Sequence, residues 1–121
     1  LGVDDWKAKV FGGDHGHDLK KALNDHNPSH PSILLAHQPK AIFEAAEAGM
    51  DLVLSGHTHG GQIFPFNFLV QLVQPYLEGL HRHGDHTQIF VHRGTGYWGI
   101  PMRLGTEAEI VTLRLIRDLN S

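Results

Sequence analysis

Residues 33–61 read ILLAHQPKAIFEAAEAGMDLVLSGHTHGG, and this stretch decides the fold. Ile33-Leu34-Leu35-Ala36 is a short apolar run of the kind that forms a buried strand. Pro39 stands where a helix accepts proline, in its first turn. Ile42, Phe43, Ala45 and Ala46 supply the apolar face of that helix, and Gly49 stops it just after Ala48. Leu52-Val53-Leu54 is a second buried strand. Strand, helix and strand with short joints make a βαβ unit, whose two strands run parallel. The sequence therefore predicts an α/β fold.

Working outward, Leu19, Ala22 and Leu23 share one side of a short helix over 18–24, with Asp18 as its cap. Phe68, Leu69, Leu72, Val73, Tyr76 and Leu77 follow a helical stripe, with Asn67 as cap and Pro75 as kink or stop. Such a stripe is more often core packing than a lipid surface. Gln88 to His92 reads as a strand, and 94–105 as a long ordered loop rich in glycine. Glu109 to Arg117 reads as a further strand, with Val111, Leu113 and Leu115 on one face. So few helices leave one side of the sheet uncovered. Residues 1–121 are thus expected to be a single partial domain. The opening at Leu1, without an initiator Met or a signal pattern, reads as a cut within a longer protein.

Composition narrows the function. The chain has 121 residues, 19% of them charged, and a net charge of −3, so no broad basic surface invites nucleic acid. Cysteine is absent, which excludes disulfides, thiolate zinc sites, iron–sulfur clusters and a Cys nucleophile. No apolar run approaches the ~18–20 residues of a membrane span, so the segment is expected to be soluble. Histidine is the exception: 11 His exceed the 10 Lys plus Arg. Imidazole is the commonest metal ligand and the usual acid–base group near neutral pH.

His37, His57 and His59 follow directly on the two central strands. Ligands of parallel sheets gather at the carboxyl ends of strands, so His37 and His57 are expected side by side. Gly56, Gly60 and Gly61 give the backbone freedom to aim both rings of the His-Thr-His turn, and let an anion approach closely. By position alone, His37 suits a core or strand-end residue bonded to backbone better than a ligand. Neutral imidazoles bring no charge to offset a divalent ion, and nothing aims Asp51 or Asp85 at them. The cluster looks like half of a site. Arg93 and Arg103 are candidates for phosphate contact, with salt-bridged surface roles as the plainer reading. Tyr97 and Trp98 suit packed anchors of the glycine-rich loop better than a stacking platform. His81-Arg82-His83 and His86 suit a solvated loop better than a metal or phosphate patch. His15, His17, His26 and His30 lie in polar loops.

Leu35-Ala36-His37-Gln38-Pro39, and Asp51 through Ser55-Gly56-His57-Thr58-His59-Gly60-Gly61-Gln62, resemble the last two metal motifs of the calcineurin-like metallophosphoesterases. Gly94-Thr95-Gly96-Tyr97-Trp98-Gly99-Ile100-Pro101-Met102-Arg103-Leu104-Gly105, followed by Glu109-Ile110, is similar to a bacterial membrane-associated branch of that family, the YkuE and YaeI types. The resemblance extends from Gly2-Val3-Asp4-Asp5 onward and implies the C-terminal half of an αββα sandwich, with a mixed sheet. It implies two divalent metal ions (Mn, Fe, Zn or similar), His37 and His57 on one and His59 on the other. Gly60, Gly61, Arg93 and Arg103 are the candidate substrate contacts beside these ligands. The reaction implied is hydrolysis of phosphoester or pyrophosphate bonds by metal-activated hydroxide. Nucleotide-linked lipids are among the implied substrates, with the apolar 63–80 segment as a lip.

The family's early motifs, Asp-x-His, Gly-Asp-x-x-Asp and Gly-Asn-His, do not occur here, and Gly13-Asp14-His15 is only an echo with the wrong spacing. The segment alone is therefore expected to be inactive, with no catalytic residue of its own. The parent is expected to be bacterial, cytoplasmic or membrane-associated through its missing N-terminal region. Two alternatives remain beside this reading. One is a non-catalytic His-rich α/β module that binds metal or phosphate. The other is an oligomer in which open sheet surfaces pair between copies.

Overall fold

The computed structural model describes residues 1–11 and 16–116. Its centre is a four-stranded mixed sheet in the order β1-β2-β4-β3. The strands are β1 (Ile33–Leu35), β2 (Leu52–Ser55), β3 (Gly79–His83) and β4 (Thr87–Val91). β1, β2 and β4 run parallel, and β3 is antiparallel to β4. The expected βαβ unit is present. A 3-10 turn at Pro39–Ala41 leads into α2 (Ile42–Glu47), which ends at Gly49 with φ +71°. The short helix α1 (Leu19–Ala22) is capped by Asp18, whose Oδ1 accepts from Lys21 N at 2.9 Å.

The strands' alternation sorts their side chains. Leu34, Val53 and Ile89 are register neighbours on one face and are wholly buried. Ile42 and Ala45 of α2, with Met50, close over them. Each such side chain contributes roughly 1.5–3 kcal/mol by leaving water. The opposite face carries another apolar row: Leu35, Leu54, Phe90 and Leu80. Its ends are open, with Leu35 55% and Leu80 60% exposed.

Residues 1–3 lie along β1 in parallel. Leu35 N donates to Leu1 O at 2.9 Å, and Val3 N donates to Leu35 O at 3.1 Å. This short pairing carries the following residues to the same edge that β1, β2 and β4 reach at their carboxyl ends.

Three parts of the chain depart from the sequence expectations. First, Glu109–Ile116 forms no strand. It crosses the open face instead, so Val111 and Leu113 still turn toward Leu35, Leu54 and Phe90. Val111 and Leu113 share the expected face, but both stay more than a third exposed and Leu115 is 66% exposed, so the segment is neither paired nor buried; Arg117 lies outside the described residues. Second, His81 and His83 belong to β3, not to a solvated loop. Gly84, at φ +65°, opens the turn back to β4. Tyr76 Oη meets His83 Nδ1 at 2.9 Å and the Tyr76 ring stacks on His81, which anchors this polar edge strand. Third, α3 (Asn67–Val73) has no buried residue at all, although most of it is apolar. Phe66, not Asn67, stands at its N-cap, and Asn67 Oδ1 is buried without a hydrogen-bond partner among the described residues.

Candidate metal centre

Gly2, Leu35, Leu54 and Phe90 lie in one cross-strand row. Two or three residues beyond that row stand Asp5, His37, His57 and His92, all at the carboxyl edge. The β-branched and aromatic residues Ile33, Val53, Ile89, Phe90 and Val91 favour the strands, and the parallel register aligns the row.

His57 Nδ1 lies 2.9 Å from His37 Nε2, with the rings edge to face and their centroids 4.7 Å apart. One of those nitrogens carries the shared proton, and the other accepts it. The pair is joined by a hydrogen bond, and both nitrogens belong to a residue type that ligates divalent ions once the proton between them is lost.

The turn that follows β2 is strained in the way sites often are. His57, His59 and Gln62 have φ of 69°, 52° and 53°, a region that non-glycine residues rarely enter. Thr58 Oγ1 donates to Leu77 O at 2.6 Å and pins the turn. Gly61 is fixed by contact: a Cβ there would lie 2.3 Å from Asn67 Cβ. A Cβ on Gly60 would lie 2.8 Å from Glu78 Oε2. Both glycines are buried, and Gly61 N already donates to Thr58 O at 2.8 Å, so packing explains them before any anion does.

The electrostatics favour neutral rings. Burial lowers the pKa of His57, and the neighbouring His37 lowers it further, against the pull of Asp5. Burial likewise lowers His59, followed by the Arg103 guanidinium and His37. A neutral imidazole has the lone pair that a metal needs. Arg103 Nη1 donates to His59 O at 3.2 Å, and Nη2 lies 3.3 Å from His59 Nδ1. The same guanidinium donates to the carbonyls of Arg93, Gly94, Gly96 and Glu107. Arg93 is held between Glu109, at 3.0 Å, and Glu78, at 3.5 Å. Both arginines named as phosphate candidates therefore have partners within the chain. Gln62 ties the two loops beside the turn: its Nε2 donates to Trp98 O at 2.7 Å, and its Oε1 accepts from Trp98 N at 2.6 Å. The Tyr97 and Trp98 side chains are not packed anchors. They are 59% and 76% exposed, and the loop is anchored through the Trp98 backbone instead.

A cleft of about 490 Å³ opens on the bare face, lined by His37, His92, Ser55, Phe90, Val111 and Leu113. Ser55 Oγ is buried there without a hydrogen-bond partner among the described residues. Also among the described residues, no three His, Asp or Glu side chains gather closely enough to enclose an ion. The other histidines serve elsewhere. His17 stacks on Trp6 and meets Glu44 at 3.0 Å, and His86 meets Asp51 at 2.9 Å. His15 and the Gly13-Asp14-His15 echo lie outside the described residues.

Sequence reasoning missed Asp5 at this edge. The pairing that delivers it is a single bridge at Gly2, too short to leave a periodic signal.

No family model matches the chain, and no solved structure matches it. Curated relatives do. An uncharacterized metallophosphoesterase of Helicobacter pylori is 58% identical over 100 residues, which are 82% of this chain and 27% of that protein. A bovine (Bos taurus) protein named "Transmembrane protein with metallophosphoesterase domain" is 52% identical over 118 residues, 94% of this chain and 26% of that protein. A UDP-2,3-diacylglucosamine pyrophosphatase of Chlamydia trachomatis is 35% identical over 129 residues, 98% of this chain and 37% of that protein. The chain thus spans about a quarter to a third of the length of these relatives, which come from bacteria and from a vertebrate. With half or more of its residues identical to several of them along most of its length, the chain belongs to the metallophosphoesterases.

Proposed function

We propose that this segment is the C-terminal portion of a dinuclear metallophosphoesterase domain, a sandwich whose N-terminal half supplies the missing carboxylates. In the whole protein, His37 and His57 hold one divalent ion (Mn, Fe, Zn or similar) and His59 the other. The observation that carries this reading is the 2.9 Å approach of His57 Nδ1 to His37 Nε2 at the sheet's carboxyl edge. When bound, such ions draw charge from phosphate oxygens and make water a nucleophile near neutral pH, which suits hydrolysis of phosphoester or pyrophosphate bonds. This chain's own part is to keep the imidazoles neutral, to aim them with a strained turn, and to fix the loops around them through Gln62 and Arg103.

The substrate reading extends to lipid-linked phosphoesters. Phe64, Phe68 and Leu72 on one side and Trp98 on the other are more than half exposed. Both segments abut the His59 turn, joined by Gln62. Such a pair of apolar lips suits an acyl chain held beside a phosphate, and the diacylglucosamine in the chlamydial relative's name supports it. The bovine relative's name supports a membrane setting for the whole protein. Among the described residues, no helix is long and apolar enough to cross a membrane.

The test is turnover of a chromogenic phosphodiester with Mn²⁺ by the full-length protein. His57→Ala should lose about 100-fold or more, since even residues that merely support a ligand cost 10–100-fold. The 121-residue segment alone should show no turnover. Full activity of the variant, or robust His57-dependent turnover by the segment, would overturn the reading.

A further inference from the structure

We infer that Asp5 is a positioning residue for the His37–His57 pair, acting through Gln38 and through its negative charge. The inference rests on the metal reading above and names a residue outside the two metal motifs at 35–39 and 51–62. The geometry begins with the backbone. Residues 1–3 pair with β1 in parallel, so Asp5 arrives beside the loop that carries His37 and Gln38. Gln38 Nε2 donates to Asp5 Oδ2 at 3.0 Å, and Lys7 N donates to Asp5 Oδ1 at 2.8 Å. Gln38 is only 5% exposed, so its amide has little access to water as a substitute partner. Both carboxylate oxygens are thus fixed, one of them to the residue adjoining a proposed ligand.

Charge gives the arrangement its purpose. His37, His57 and His59 contribute no negative charge against a divalent ion. Asp5 is a carboxylate close enough to interact electrostatically with both His37 and His57. Burial works to raise its pKa, yet the hydrogen bonds from Lys7 and Gln38 and the nearness of His37 and His57 bring it below the ordinary value. It therefore stays ionised at neutral pH, and its field favours a cation at the imidazoles. Supporting partners one step behind the ligands typically govern ligand orientation and basicity.

The test measures Mn²⁺ affinity of the full-length protein by titration calorimetry, with thermal unfolding of the metal-free protein measured alongside. Asp5→Asn keeps size and removes charge; Asp5→Glu keeps charge and changes length. The charge role predicts affinity about 10–100-fold weaker in Asp5→Asn. It predicts affinity close to that of the unsubstituted protein in Asp5→Glu. A purely hydrogen-bonding role predicts loss in both variants, because Asn offers one oxygen where Asp5 accepts from two donors and Glu displaces both. Unchanged affinity in Asp5→Asn, or a loss in Asp5→Glu at least as large as in Asp5→Asn, would overturn the inference. Should Asp5→Asn fail to fold, Gln38→Leu, which cuts the link to the loop, must weaken binding; unaltered binding would overturn it equally. If the unsubstituted protein takes up no Mn²⁺, the metal reading itself falls, and the role of Asp5 with it.

Discussion

Gly61 and Asn67 are in direct backbone-scale contact: a Cβ added to the glycine would sit 2.3 Å from Asn67 Cβ and 2.5 Å from its Cα. The His-Thr-His turn and α3 can approach this closely only because residue 61 has no side chain. Gly61 also has φ +80°, which disfavours other residues independently. Gly61→Ala should therefore push α3 away from the turn. Strain of this kind costs about 1–3 kcal/mol even before the clash is counted. Chemical denaturation should show at least that loss, and an unchanged midpoint would contradict the contact.

Arg103 binds together the turn and the 94–107 loop through carbonyls of His59, Arg93, Gly94, Gly96 and Glu107. Arg103→Met removes every one of those donors. Hydrogen bonds from a charged group are each worth about 1.5–3 kcal/mol. Hydrogen exchange and proteolysis across 94–107 should rise sharply, while the α2-side core stays protected. Equal protection in both proteins would show the guanidinium to be dispensable.

The pH response follows from the lowered pKa values of His57 and His59. The unfolded chain takes up protons on these rings near pH 6.5, whereas the folded chain resists until lower pH. The unfolded state thus binds more protons in that window, and stability falls as pH drops through it. Above pH 6.5 both states are neutral and the contribution is flat. His57→Asn should remove its share, so the two unfolding curves should converge as pH falls below 6.5. A constant difference from pH 5 to 8 would contradict the shift.

The lips flanking the turn make a separate prediction. Replacing Phe68 and Leu72 with Ser in the full-length protein should impair a lipid-linked phosphoester more than a small chromogenic one. Both residues are more than half exposed, so such changes are expected to alter stability by only about 0.5 kcal/mol. Equal loss on both substrates would contradict a lip.

Local pattern made the central unit legible. The apolar runs at 33–36 and 52–54, with Pro39 and Gly49 bounding the helix between them, specify β1, α2 and β2 almost residue by residue. The adjacency of His37 and His57 followed from the parallel rule alone. Other elements depend on what lies across the fold. β3 alternates His and Arg on an edge, a pattern that reads as a loop until β4 is there to pair with it. The apolar alternation at 111–115 is shared by a paired strand and by a segment laid over a sheet face, and only the tertiary setting separates them. The α3 stripe looks like core, yet nothing among the described residues covers it. Asp5 was hidden because one bridge at Gly2, rather than a strand, sets its position.

The central claim is that His37 and His57 share a divalent ion. Its most direct measurement is the metal content, by elemental analysis, of full-length protein saturated with Mn²⁺ and of its folded His57→Ala variant. The account predicts two equivalents in the unsubstituted protein and the loss of one of them in the variant. Equal metal content in the two proteins would contradict it.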